Sequence, residues 1–362
     1  MPLQATSGAA SQDGFGGNGV PVVPAYIEDV FSTYLYRGTS ATQTITNNID
    51  LSTKGGMVWI KSRTGGTQKH KVTDTTRGAT NALSTNLTDA QSADTAGLTA
   101  FGTTGFTLGT EAAYNLSASN YASWTFRKQL KFFDVVTYTG DGTNDRNVSH
   151  NLGSAPGCYI VKATSTTSDW YVYHRGLASA SWFIRLNTTA AQTSASSPFD
   201  SAPTSTTFNV WHNSGTNSAN ASGETYVAYL FAHNAGGFGL TGTDNVISCG
   251  SFTSDGSGLA TVNLGYEAQW VLVKNTTSVE DWQMYDVMRG MSSSFAYQLN
   301  PNLTNAESNV GNNTVLPTST GFTFNAFAAS QTGIYIAIRR GPMKVPTTGT
   351  SVFGLNARTG TG

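Results

Sequence analysis

Acidic and basic side chains recur together at one spacing in this sequence, and they are the first candidates for chemistry. Asp74 is followed three residues later by Arg77, and Asp286 is followed in the same way by Arg289. Such a pair could bind a polar ligand, or it could hold a turn together while the Asp accepts backbone N–H groups. We favour the structural interpretation, because a related segment carries His174 in place of the Asp, which would be odd for a shared catalytic site.

Metal and catalytic sites of familiar types are not indicated. No two of the five histidines are spaced like zinc ligands, and P-loop, nucleophile-elbow and dinucleotide-binding motifs do not occur. Asp141, Asn144 and Asp145 could offer oxygen atoms to Ca²⁺, but they do not match the calcium-loop pattern, so a solvated hairpin is favoured. A carboxylate pair for glycoside cleavage stays open, since the fold sets its geometry. We predict a protein that is not an enzyme and has no cofactor.

Three aromatic side chains lie near polar loops of the sequence and could stack on sugar rings. They are Tyr173, Trp182 and Trp211. An aromatic ring combines a large apolar surface with, in Tyr and Trp, a polar group, which suits both a glycan contact and a protein core. The core interpretation is favoured for each residue, and a glycan site is the alternative.

The composition favours β-strands joined by polar turns. Charged residues make up 11% of the chain, against about 25% in soluble domains, and Thr, Ser, Asn and 39 glycines take their place. These residues are poor helix formers. The 7 Trp, 15 Tyr and 18 Phe exclude a disordered chain, which would be poor in aromatic residues. The length of 362 residues predicts two or three domains.

The charge distribution excludes several partners. The net charge is −1 and no run of adjacent basic residues is longer than the pair Arg339–Arg340, so nucleic acid is not an expected partner. No apolar run is long enough to span a membrane, and the N-terminus lacks a signal peptide, which predicts synthesis in a cytoplasm. Cys158 and Cys249 are interpreted as two buried free thiols, although sequence alone cannot test the geometry of a disulfide.

Four short patterns occur in the same order three times along the chain. They are an apolar triplet ending in Lys, a polar-aromatic segment leading to Arg-Gly, a strand opening with Phe, and a closing segment that begins with Tyr. Each copy spans roughly 100 residues, the size of a domain. Internal repeats of this kind must be recognised first, because they decide the fold. The residues that we assign as structural anchors of the repeats are Trp59, Lys61, Asp74, Arg77, Lys162, Arg175, Lys274, Asp286 and Arg289.

The repeats predict an all-β protein of three tandem jelly-roll-like β-sandwich domains. The short apolar runs are rich in β-branched and aromatic residues, which favours strands over helices. The weakest candidate for a helix is the segment 83–93. The predicted parts of the chain are an extended N-terminal arm (1–25), three sandwiches (26–132, 133–236 and 237–341) and a C-terminal linker or contact segment (342–362).

These anchors resemble a module of virion structural proteins from tailed bacteriophages, especially marine and cyanobacterial ones. The resemblance covers roughly residues 25–350, and it includes the exit segment Arg339–Lys344. The second copy departs most, since it lacks the Asp and the Gly that precedes Phe in the other two. The module is similar to laminin-G and concanavalin-like sandwiches. The first copy carries the motifs most fully, as Trp59-Ile60-Lys61-Ser62-Arg63, Asp74 to Gly78, Gly105-Phe106 and Tyr121 to Trp124.

The resemblance implies a place in the virion, often in the tail, and it supplies no catalytic residues. We therefore expect a tail-associated protein, such as a fibre or an adaptor holding one, that contributes to assembly and host contact. Its expected partners are copies of itself, with a trimer favoured, other virion proteins bound through the N-terminal arm, and host surface glycan. The alternatives are a protein that decorates or cements the capsid and a glycan-binding module.

Overall fold

The computed structural model describes residues 24–65, 67–213, 218–292, 295–311 and 314–344. The predicted all-β class is confirmed: within these residues, twenty-five strands form antiparallel sheets, and helical segments are short. The helical segments are α1 (Ala112–Asn115) and two 3₁₀ turns (Ile27–Asp29 and Val287–Arg289).

The first repeat folds into two sheets that enclose an apolar core. The larger sheet has the order β1-β9-β3-β4-β5-β6, and the smaller has the order β2-β8-β7. The strands are β1 (Phe31–Arg37), β2 (Gln43–Thr46), β3 (Gly56–Ser62), β4 (Lys71–Asp74), β5 (Asn81–Ser84), β6 (Ser92–Ala93), β7 (Leu98–Phe101), β8 (Gly105–Leu108) and β9 (Asn120–Arg127).

The second repeat has a five-stranded sheet and a two-stranded sheet. Their orders are β10-β16-β12-β13-β14 and β11-β15. The strands are β10 (Phe133–Thr139), β11 (Arg146–Ser149), β12 (Cys158–Ala163), β13 (Trp170–His174), β14 (Ile184–Arg185), β15 (Thr207–Val210) and β16 (Thr225–Phe231).

The third repeat has a four-stranded sheet, a three-stranded sheet and a separate strand pair. Their orders are β17-β25-β19-β20, β18-β24-β23 and β21-β22. The strands are β17 (Ile247–Thr253), β18 (Ala260–Asn263), β19 (Ala268–Asn275), β20 (Gln283–Asp286), β21 (Tyr297–Gln298), β22 (Ser308–Asn309), β23 (Val315–Thr318), β24 (Gly321–Phe324) and β25 (Thr332–Arg339).

The three repeats share one nested connectivity. In each, the last strand lies between the first and the third, and the second strand pairs with the strand that precedes the last. Such nesting of outer strands around inner ones is the jelly-roll-like order that the repeated patterns predict. In the first and third repeats, the Gly that opens the Phe strand is required by close packing. A Cβ at Gly105 would lie 1.9 Å from the carbonyl oxygen of Ile45, and one at Gly321 would lie 1.9 Å from that of Val262.

The third strand of each repeat is buried on both faces, which explains its unbroken apolar run. Side chains alternate between the faces of a strand. In β3, Val58 and Ile60 pack in the core of the first repeat, whereas Met57 and Trp59 face a second, larger core. Two-sided burial of this kind normally requires a layer of structure on each side of the sheet.

The larger core is shared by all three repeats. Its buried side chains come from the large sheets of every repeat and, in the second repeat, also from the small sheet and its loops. Aromatic rings are in edge-to-face contact across the boundaries. Phe126 of the first repeat lies 5.7 Å from Phe231 of the second and 5.7 Å from Trp270 of the third, measured between ring centroids. Three tandem sandwich domains predict three separate interiors. The repeats instead also pack against one another around this central core.

The strand directions give the molecule two different ends. The connections that enter β1, β10 and β17 lie at one end, which we call the base. There Phe31 pairs with Phe126, and at the other end of β1 Arg37 pairs with Asn120. The described part of the chain also starts and stops at the base, where the Ile27 N–H donates to the carbonyl of Pro342 at 3.2 Å. The predicted arm and C-terminal segment fall mostly outside the described residues.

The segment 83–93, considered as a possible helix, is not helical. It contains the end of β5 and all of β6, which are joined by a loop, so that prediction is wrong. The physical reason lies in the polar residues of the loop. Asn86 accepts a hydrogen bond from the N–H of His70. The loop backbone bonds to the second repeat, where Gln91 donates to Thr164 and Thr88 accepts from Ser168.

Candidate functional site

The three anchor lysines are buried at the end of the molecule opposite the base. Lys61, Lys162 and Lys274 each have no exposed surface. Each ammonium group donates to one carbonyl in its own repeat and to one in a neighbouring repeat. The bonds across the boundary join Lys61 to Thr304 at 3.0 Å, Lys162 to Thr88 at 3.1 Å, and Lys274 to Thr189 at 3.0 Å.

These contacts form a closed ring. The first repeat donates to the third, the second to the first, and the third to the second, so every repeat is a donor once and an acceptor once. The carbonyls hold the ammonium groups through charge-assisted hydrogen bonds, the stronger type. We call each contact a lysine clamp. A ring of three clamps ties the repeats together without using an exposed functional group.

The clamps have an electrostatic cost. Burial lowers the pKa of Lys61, of Lys162 and of Lys274 to about 8 in each case, because desolvation disfavours the charged form. A lysine with a lowered pKa can be a nucleophile or a base. Here the three amines are inaccessible to any substrate, so the geometry assigns them to structure.

Backbone hydrogen bonds form a second set of contacts around the same ring. The N–H groups of Gln91, Gln192 and Glu307 donate to the carbonyls of Thr164, Thr276 and Arg63, at 2.9, 3.1 and 3.0 Å. Each acceptor lies two residues after a clamp lysine, and each donor lies three residues after the Thr that accepts from a lysine. The ring is therefore closed twice, once by side chains and once by backbone.

Sequence reasoning missed the loop that carries these acceptors. It reads Asn-x-Thr-x-Ala-Gln in the first two repeats and Asn-x-Thr-x-Ala-Glu in the third, beginning at Asn86, Asn187 and Asn302. Each Asn side chain accepts from the N–H of the residue that starts the fourth strand region, namely His70, Trp170 or Trp282. The fixed spacing within the loop was the signal that could have revealed it.

The pair of Asp74 and Arg77 is buried between the first and second repeats. Arg77 Nε donates to Asp74 Oδ2 at 2.6 Å, and both side chains are almost fully buried. The carboxylate also accepts from the N–H of Arg77 and caps the turn. From the second repeat, the hydroxyl of Tyr229 donates to Asp74 at 2.8 Å and accepts from Arg77 at 3.1 Å. The pair therefore ties a turn and joins two repeats.

Asp286 and Arg289 play the same part between the third and first repeats. The Nε–Oδ2 distance is again 2.6 Å, and Asp286 accepts from the N–H of Arg289. Here the partner is Trp124, whose Nε1 donates to Asp286 at 3.0 Å. Arg289 also pairs with Glu307, which Arg63 of the first repeat contacts at 2.7 Å. All these groups are satisfied within the fold.

The boundary between the second and third repeats lacks both the buried Asp and the side chain that donates to it from the neighbouring repeat. His174 occupies the place of the Asp, and Ile336 occupies the place of Tyr229 and Trp124. His174 Nε2 instead lies 3.0 Å from the carbonyl of Tyr335, and burial lowers the pKa of its imidazole to about 3. The assignment of Arg175 as the equivalent of the two buried arginines is wrong, because its guanidinium is exposed and contacts His233.

The aromatic residues considered for glycan contact do not form one site. Tyr173 is buried and stacks on Tyr159 at 4.7 Å, so its assignment as a glycan contact is wrong. Trp182 is half-buried against the central core. Trp211 is also half-buried and lines a shallow cleft with Asn144 and His212. Trp211 therefore lies where a sugar could reach its ring.

The remaining polar candidates are held by the protein itself. Asp141 accepts from the N–H and the hydroxyl of Thr143, which lower the pKa of its carboxyl to about 2. In the part of the chain that the structure describes, no group of three His, Cys, Asp or Glu side chains could hold a metal ion. Cys158 and Cys249 are buried free thiols, as interpreted from the sequence.

Comparison with known proteins places the chain in one family. No curated protein matches it. Among the described residues, no helix is long and apolar enough to cross a membrane. The sequence matches a family described as a domain of unknown function, DUF7483, over residues 27–342, which includes all three repeats. Since the match covers most of the 362 residues, the chain belongs to this family.

Proposed function

We propose that this chain is a non-enzymatic structural protein of a bacteriophage particle, associated with the tail as a fibre or as an adaptor that holds one. The observation that carries the proposal is the use of the repeated polar anchors. Lysines, Asp–Arg pairs and polar loops that could have formed a reactive site are instead buried and consumed in joining the repeats. A protein whose polar side chains hold its own repeats together is suited to a structural role under mechanical load.

The two ends of the molecule support a place between a particle and a surface. Residues 25–29 and 342–344 lie side by side at the base, where Lys344 pairs with Asp29. Adjoining chain segments therefore attach at the base, and the end that carries the three lysine clamps faces the opposite direction. In the proposed function, the base faces the particle and the other end faces outward. The N-terminal arm would dock on other virion proteins.

Self-association belongs to the proposal as well, with a homotrimer favoured. A single chain already closes its own ring of three repeats. Contacts between copies must therefore use surfaces outside that ring. Mass photometry of the purified chain tests this point, since a trimer has three times the mass of the 38.2 kDa protein. A monomer at micromolar concentration would remove self-association from the proposal.

The decisive experiment locates the chain in an intact particle. Particles carrying this chain would be labelled with a specific antibody fragment and imaged by electron microscopy. Label confined to the tail is the expected result. Label spread over the whole shell would refute a tail position and would favour the alternative, a protein that decorates or cements the capsid. Absence of label from purified particles would refute both.

A glycan-binding module is the second alternative, and one observation favours it. Trp211 lies in an open cleft beside Asn144 and His212, which offer an amide and an imidazole to hydroxyl groups. Stacking of a sugar on this indole would be lost in Trp211→Ala. A glycan array that gives no signal for the wild-type chain would remove this alternative.

A further inference from the structure

The outer edge of β1 carries backbone groups that have no hydrogen-bond partner among the residues the structure describes. β1 is the edge strand of the large sheet in the first repeat. Val30, just before β1, accepts from the N–H of Arg127. Hydrogen bonding alternates along an antiparallel edge, so every second residue of β1, beginning with Ser32, bonds to β9. Phe31 and Thr33 therefore direct their N–H and C=O groups away from the sheet. Within the described residues, no group forms a hydrogen bond with these two N–H and two C=O groups.

The corresponding edges of the other two repeats are covered by the chain itself. In the second repeat, Phe133 takes the place of Phe31, and it exchanges both hydrogen bonds with Gln129, at 3.0 and 3.2 Å. In the third repeat, Ile247 takes that place, and its carbonyl accepts from the N–H of Asn234 at 2.9 Å. Peptide backbone is thus the natural occupant of this edge.

The next outward-facing residue of the first strand shows the same difference between repeats. In the part of the chain that the structure describes, it has a hydrogen-bond partner in the second and third repeats but not in the first. The carbonyl of Val135 in the second repeat accepts from Lys128 at 3.3 Å, and the N–H of Cys249 in the third donates to His233 at 3.1 Å. The first repeat has Thr33 at this position, which is 8% exposed. Its buried hydroxyl also lacks a hydrogen-bond partner. A buried polar group without a partner is costly, so an occupant that supplies one would be stabilised.

A groove of about 490 Å³ runs along this open edge, between the first and third repeats. Its floor includes the amide side chains of Asn47 and Gln269, and its wall includes the exposed side chain of Met288. Methionine adapts to varied apolar partners. Two carboxylates and two cations also line the groove, so their charges cancel and a charged occupant would gain nothing overall. These four residues are Glu28, Asp29, Arg340 and Lys344.

We propose that this groove binds an extended, uncharged peptide segment of a partner protein, which adds a strand to the edge of β1. Strand addition gives affinity through backbone hydrogen bonds, here to Phe31 and Thr33, and specificity through the side chains that face the groove wall. An open edge is otherwise a liability that proteins usually cover. The inference goes beyond the proposed function and does not depend on a place in a phage particle.

The test uses the full chain and a synthetic probe, an acetylated and amidated hexapeptide of alternating threonine and valine. We expect it to bind with a Kd below about 1 mM. It should slow amide hydrogen exchange at Phe31 and Thr33. Thr33→Pro removes an outward N–H that β9 does not use, so it should weaken binding at least about tenfold.

A second variant covers the case in which Thr33→Pro does not fold. Met288→Arg changes an exposed side chain of the groove wall and should also weaken binding, whereas Val279→Arg, at another exposed position of the third repeat, should not. Wild-type chain that ignores the probe at millimolar concentration, or variants that bind it equally well, would overturn the proposal. Slow exchange at Phe31 and Thr33 without any probe would mean that the chain covers its own edge, and would overturn it too.

Discussion

The hydroxyl of Tyr229 offers a clean test of the claim that the Asp–Arg pairs join repeats. Tyr229→Phe removes one oxygen atom from a fully buried ring and leaves the packing unchanged. The lost hydrogen bonds run to the carboxylate of Asp74 at 2.8 Å and to the guanidinium of Arg77 at 3.1 Å. A hydrogen bond to a charged group contributes about 1.5–3 kcal/mol, so we expect the free energy of unfolding to fall by about 2–3 kcal/mol.

A double-mutant cycle separates this contact from general damage. Asp74→Asn weakens the buried ion pair with Arg77, and breaking such a pair costs up to about 3–5 kcal/mol. If Tyr229 acts through this pair, the two losses overlap. The double variant should then lose about 1–3 kcal/mol less than the sum of the single variants, as is usual for residues in one network.

The assay is urea denaturation followed by both tryptophan fluorescence and circular dichroism. Tyr335→Phe is the matched control, because the hydroxyl of Tyr335 has no hydrogen-bond partner among the described residues, and its loss should change stability by less than about 0.5 kcal/mol. Additive losses for Tyr229 and Asp74, or a Tyr229→Phe variant as stable as wild type, would refute the reasoning.

Three further outcomes are expected. The chain should unfold in one transition that coincides by fluorescence and circular dichroism, because the repeats share a core; separate transitions would contradict this. The urea midpoint should rise from about pH 7 to about pH 8.5, since the clamp lysines have folded-state pKa values of about 8, below the roughly 10.4 of an unfolded chain, so the unfolded state binds more protons there. Lys162→Met should flatten that rise, whereas a midpoint that falls over this range would count against it. At higher pH, the burial that raises the pKa of Cys158 and Cys249 acts in the opposite sense. Gly105→Ala should cost more than about 2 kcal/mol in thermal unfolding, while Gly256→Ala, which has open space around it, should be nearly neutral.

Much of the fold was accessible from the sequence because the repeats carry local information. The apolar triplets before Lys61, Lys162 and Lys274 are all third strands, and the Phe patterns all open inner strands of the smaller sheets. Each pattern reports a burial requirement that the strand must satisfy wherever it packs. The continuous apolar runs signalled burial on both faces. They could not say that the second face belongs to a core shared with other repeats.

The errors have a common origin, because each concerns a residue whose surroundings come from a distant part of the chain. Tyr173 was considered for glycan contact because polar loops follow it, yet it packs on Tyr159 across the sheet. Arg175 was aligned with the buried arginines through the Arg-Gly dipeptide, yet the deletion before it places the guanidinium at the surface. Local resemblance is a weak guide where tertiary contacts decide the environment.

The boundary between the second and third repeats shows most clearly what a single repeat cannot reveal. Within the second repeat alone, His174 means only that the carboxylate of the Asp–Arg pair is missing. Across the boundary, the loss of the carboxylate is matched, because the position that supplies a donor elsewhere, Tyr229 or Trp124, is Ile336 in the third repeat. A carboxylate facing Ile336 would lack that cross-boundary donor, and a tyrosine at position 336 would lack its acceptor. Either group would be buried at a cost of about 1–3 kcal/mol. The two changes are therefore compatible only together. This supports the view that the three repeats constrain one another as parts of a single folded unit.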